Sequence, residues 1–150
     1  QAFPAFGVER RGAPVHSFIR VDDKPINLRT NIYEPDLLVV LDATLLNTVN
    51  VTSGLKEGGK ILINTALPPS KFNIPDTFDV KTIDASKIAI EHRLGSVSQP
   101  IVNTAILGAF SRFTGLVGIS AILEAIKESV PVKPDENAAA ALEAFEQFKA

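Results

Sequence analysis

Apolar positions follow two different rhythms along this chain. From Val15 to Val21 they alternate, with His16, Phe18 and Arg20 set against Val15, Ser17, Ile19 and Val21, which predicts a strand. Leu37-Leu38-Val39-Val40-Leu41 is a continuous apolar run, the pattern of a strand buried on both faces of a parallel sheet. Lys60 to Thr65 predicts a second such strand and Phe78 to Ile83 a third. Thr44 to Leu55 predicts a short helix between the first two, punctuated by Gly58-Gly59. Beyond Asp84 the spacing changes to three and four. Asp84 to His92 predicts one helix. Ile101, Val102, Ala105, Ile106, Ala109, Phe110 and Phe113 mark the face of another, which Gly115 ends. Ile119, Ile122, Leu123 and Ile126 mark a third. Asp135 is the expected cap of a last helix carrying Ala138, Leu142, Phe145 and Phe148. Residues 1–14, rich in Pro and Gly, are expected to form an ordered loop, and Asp22-Asp23-Lys24-Pro25 a turn.

Strand, connection and strand followed by helices is the order of an α/β fold. The expectation is a Rossmann-like three-layer sandwich with a largely parallel central sheet and a helical C-terminal third. A chain of 150 residues, 45% hydrophobic, suits one domain with one core. The net charge of -2 gives no basic footprint for nucleic acid or for an anionic membrane surface. No apolar run approaches the ~20 residues of a membrane span. With no signal peptide visible, the expected location is cytoplasmic.

Composition removes several chemistries. There is no cysteine, so this chain offers no thiol nucleophile, no disulfide and no thiolate for an iron–sulfur cluster. The two histidines, His16 and His92, lie far apart without a metal-ligand pattern, and neither is assigned to catalysis. Neither a Gly-x-Gly-x-x-Gly stretch nor a P-loop is present. Lys24, Arg29, Lys56 and Lys60 are scattered and expected to be solvated, and Asn50-Val51-Thr52 is a formal glycosylation acceptor.

Candidate site residues follow from position. In open α/β sheets ligands gather at the carboxyl ends of the strands. Asp42 and Thr44 follow the first buried strand, and Asn64 and Thr65 follow or end the second, so these four are crevice candidates. The competing reading makes them turn and cap residues. Asn103 and Thr104 precede an apolar helix, where a polar side chain can meet an anion or cap free N–H groups. Gly108, inside that helix, is unfavourable by about 1 kcal/mol relative to alanine, which points to close packing against another backbone.

One motif goes further. Phe6-Gly7-Val8-Glu9-Arg10-Arg11-Gly12-Ala13-Pro14-Val15 resembles the Phe-Gly-x-Glu-Arg-Arg-Gly-Ala-Pro-Val signature of the γ subunits of pyruvate:ferredoxin oxidoreductases. Arg20 to Ile26, Ile32-Tyr33-Glu34-Pro35-Asp36, Asn103-Thr104-Ala105-Ile106-Leu107-Gly108-Ala109 and Gly115-Leu116-Val117 match that family in order, so the resemblance spans essentially the whole chain. The family's glycine-rich Gly-x-Gly-Gly-Gln-Gly stretch is not in this sequence. Because the chain opens Gln1-Ala2-Phe3-Pro4 without a methionine, that stretch is expected upstream, lost or carried on a separate piece.

The resemblance implies a subunit without catalysis of its own. The complex would use thiamine diphosphate, Mg2+, [4Fe-4S] clusters and coenzyme A, and pass electrons to ferredoxin, with thiamine and clusters on other subunits. This chain would contribute to coenzyme A binding and assembly. Phe6, Gly7, Glu9, Arg10, Arg11, Gly12, Asn103 and Thr104 are then the candidates for coenzyme A binding or a subunit interface. Guanidinium groups bind phosphate bidentately, which suits Arg10 or Arg11. A salt-bridge network holding the loop to its own sheet is the competing reading. A free-standing α/β binding or scaffold module is the alternative function. Which 2-oxoacid is used and in which direction are left open, with pyruvate favoured by the form of the signature.

Overall fold

The structure, a computed structural model, describes residues 1–5 and 13–149. The core is a parallel sheet of β3 (Leu37–Val40), β4 (Lys60–Asn64) and β5 (Asp79–Ile83), in that order. β4 is central, and its Ile61, Leu62 and Ile63 are completely buried, which is why an unbroken apolar run is needed there. A separate two-stranded antiparallel ribbon pairs β1 (Ala2–Pro4) with β2 (Ser17–Ile19). Ala2–Pro4 is therefore a strand, where composition predicted loop. Its partner lies 15 residues away across Pro14 and glycines, so no local alternation announces it.

The two faces of the sheet are covered differently. Ile61, Ile63 and Val40 pack with Leu46, Val51, Leu55, Phe72, Ile74 and Phe78 from the β3–β4 and β4–β5 connections. Both crossovers lie on one face, as a single crossover hand requires when strands follow in sequence order. This outer layer is not α-helical. Ala43–Asn47 is a short 3-10 helix followed by turns, and Pro69–Lys71 is a single 3-10 turn. The predicted helix over Thr44–Leu55 is cut short, because Thr48, Val49, Val51 and Thr52 are β-branched residues that lose rotamer freedom in a helix.

The opposite face carries the helices α1 (Ala85–Glu91), α2 (Ala105–Thr114), α3 (Ile119–Ser129) and α4 (Pro134–Gln147). Leu62 and Ile83 of the sheet pack with Ala85, Ile88 and Ala89 of α1, Ala105, Ile106, Ala109 and Phe113 of α2, and Ala140 and Ala144 of α4. α3 closes against α4 through Ile122, Ile126, Ala138 and Ala141. Gly115 ends α2 at φ 67°, the left-handed position glycine fills without strain. Two predicted starts move. α2 begins at Ala105, four residues after Ile101, because Pro100 and Ile101 pair back toward Gly95 and Leu94. α4 begins at Pro134 and is preceded by Lys133 at φ 52°. Asp135 falls in the first turn instead of at the cap, as expected when proline occupies N1.

Gly108 is where α2 meets α4. A methyl group built on it would collide with the carbonyl oxygen of Ala141 and lie 2.8 Å from the Phe145 nitrogen. Two effects oppose each other in Gly108→Ala. Helix propensity favours alanine by about 1 kcal/mol, whereas overpacking costs roughly 1–3 kcal/mol and more when backbone must move. Clash wins, because the obstacle is main chain and not the end of a flexible side chain. Gly108→Ala is expected to destabilise the chain by about 2 kcal/mol, read as a lower denaturation midpoint at constant slope. An unchanged or higher midpoint would refute the close approach.

Candidate functional site

The sheet brings the four rim candidates together as expected, at the carboxyl ends of β3 and β4. Part of their hydrogen-bonding capacity is used within the chain. Asp42 Oδ1 accepts from the Thr44 N–H at 2.9 Å and from its hydroxyl at 2.7 Å, capping the 3-10 helix. Thr65 Oγ1 accepts from the Leu67 N–H at 3.2 Å. Asn64 is nearly buried and fully engaged. Its Nδ2 donates to the Leu41 carbonyl and to Ser86 Oγ, both at 2.9 Å, and its Oδ1 accepts from the Ser86 N–H at 3.1 Å. One side chain thus joins the end of β3, the end of β4 and the start of α1. For these residues the structure favours the turn-and-cap reading over a crevice lining.

Thr104 and Asn103 part company. Asn103 is exposed. Thr104 is buried, and its hydroxyl donates to Asn137 Oδ1 of α4. It makes no cap hydrogen bond to its own helix. Asn137 Nδ2 in turn donates to the Val132 and Lys133 carbonyls at 3.1 and 2.8 Å, closing the turn before α4. Thr104 is therefore a tether between helices.

Phe6, Gly7, Glu9, Arg10, Arg11 and Gly12 lie outside the described residues. In sequence they belong to the connection between β1 and β2. The neighbouring ribbon is held by Arg20, whose guanidinium donates to Gln1 Oε1 at 2.9 Å and to the Thr30 carbonyl at 2.5 Å. It also lies 5.6 Å from the Phe3 ring centroid. His16 is exposed beside Phe18, its ring centroid 5.2 Å away.

Several roles had no local signal in the sequence. Lys60 is half-buried and held in place: its Nζ donates to the Phe113 carbonyl at 3.0 Å and sits 4.8 Å from that ring's centroid, where a cation suits a helix C-terminus. His92 ends α1 as expected, but its Nε2 lies 2.6 Å from Glu143 Oε2 of α4. Lys56 pairs with Asp36 at 2.6 Å, and this hydrogen bond and charge raise its pKa above the ordinary lysine value. A raised cationic pKa contributes stability that is present below the ordinary value and fades as pH climbs through the folded one. In so exposed a pair the contribution is small. Among the described residues, no group of three or more His, Cys, Asp or Glu side chains could hold a metal ion. Among the described residues, no helix is long and apolar enough to cross a membrane.

Two surface depressions among the described residues lie away from the rim. An open one of about 330 Å³ is lined by Leu46 to Thr52 with Asn73 and Ile74, and another of about 370 Å³ by Gln1, Ala2, Phe3, Ile26, Asn27 and Arg29. Replacing Asn64 by Ala would strand the Leu41 carbonyl and the Ser86 N–H. Each unsatisfied buried group costs about 1–3 kcal/mol. Asn64→Ala is expected to lower stability by about 3 kcal/mol in equilibrium unfolding, with faster amide exchange at the start of α1. A neutral substitution would show that water can replace the side chain and that the rim is open.

Comparison with known proteins agrees along the whole length. The family described as pyruvate ferredoxin/flavodoxin oxidoreductase matches residues 1–147. The pyruvate/ketoisovalerate oxidoreductases common subunit gamma of Thermococcus kodakarensis is 51% identical, over 97% of this chain and 78% of the relative. Pyruvate synthase subunit PorC of Methanothermobacter marburgensis is 50% identical, over 99% of this chain and 80% of the relative. Among solved structures, the pyruvate oxidoreductase subunit PORC of Thermotoga maritima superposes with a TM-score of 0.79 at 33% identity, covering 99% of this chain and 79% of that one. With its parallel sheet, its helical last third and a sequence alike from end to end, the chain belongs to the pyruvate ferredoxin/flavodoxin oxidoreductase family, on its γ-subunit branch.

Proposed function

We propose that this chain is the γ subunit of a pyruvate:ferredoxin oxidoreductase, which converts pyruvate, coenzyme A and oxidised ferredoxin to acetyl-coenzyme A, carbon dioxide and reduced ferredoxin. The observation that carries the reading is a family match over residues 1–147 of a chain without a single cysteine. A cluster-bearing redox reaction must then place its clusters outside these 150 residues. Thiamine diphosphate with Mg2+ and the [4Fe-4S] clusters, held by partner chains in the cytoplasm, supply the cleavage and electron-transfer chemistry.

This chain's own part is to complete the coenzyme A side of the site and to stabilise the assembly. Arg10 and Arg11 supply the means, because each can present two parallel N–H donors to a phosphate oxygen pair. Glu9, Phe6, Gly7 and Gly12 belong to the same sequence stretch and are assigned to the same role. Of the remaining candidates, Asn103 is exposed and free to meet a ligand. Thr104 contributes by fixing α2 to α4.

In the reconstituted enzyme, Arg10→Ala or Arg11→Ala is expected to raise the KM for coenzyme A about tenfold or more, the scale of one lost charge-assisted contact. Pyruvate decarboxylation measured without coenzyme A should stay close to wild type. Unchanged coenzyme A saturation in both variants would remove the ligand role. A colourless preparation of the wild-type chain, free of cysteine-bearing partners after co-expression with them, would remove the subunit reading.

A further inference from the structure

We draw no further inference here: the strongest candidate, the apolar edge of the parallel sheet at β3, where Val39 and Leu41 are exposed, carries nothing because nothing in the structure shows what covers it.

Discussion

The structure depends on how closely α2 and α4 approach. Gly108 lets the backbone of α2 rest on the Ala141 carbonyl, and Ala138, Ala140, Ala141 and Ala144 keep α4 thin along the same contact. Small residues bring many atoms within dispersion range without long side chains to immobilise, so packing comes at low conformational entropy cost. With α4 drawn in, the sheet-facing side chains of α2 can fill the space above Leu62 and Ile83. Farther apart, the two helices would leave a void that alanines cannot fill.

Polar groups then lock what the packing permits. Thr104 reaches Asn137 across the N-terminal end of α2, and Lys60 holds its C-terminal end to the sheet. His92 ties α1 to Glu143, and Asn64 ties α1 to two strand ends. Helix and sheet are fastened at each end of the layer, so the helical face behaves as one unit. Every one of these partners is far away in sequence: 33 residues for Thr104 and Asn137, 53 for Lys60 and Phe113, 51 for His92 and Glu143.

That distance explains what could be read beforehand and what could not. The three parallel strands and four helices were legible because periodicity is a local property: Leu37 to Leu41 and Ile61 to Ile63 are unbroken apolar runs, and α2 repeats at three and four. Only β4 is buried throughout its apolar run, whereas β3 ends the described sheet and leaves Val39 and Leu41 exposed. Gly108 was legible for a related reason, since a residue unfavourable in a helix needs a packing explanation. Ala2–Pro4 was not, because its strand character comes wholly from a partner beyond Pro14. Nor were the internal uses of Asn64, Thr104 and Lys60, whose chemistry suits a site and a structural bridge equally well until the partner is known. The four rim residues stand at the strand ends, and what the sequence did not show was how far internal bonds limit their availability.

This availability bears on how the chain serves a larger enzyme. A rim whose Asn64 amide is fully engaged, and whose Asp42 and Thr65 oxygens already accept internal bonds, has less to offer a ligand than its composition suggests. The groups best suited to an anion are the guanidiniums of the Glu9-Arg10-Arg11 stretch, joined covalently to a ribbon outside the packed core. The proposed arrangement separates duties, with rigidity in the helix-and-sheet body and contact on the ribbon's connection. Separation has a physical advantage for a subunit. Contact residues can be exposed and strongly charged or apolar without destabilising the core that positions them, and the ribbon's described side chains belong to none of the buried clusters.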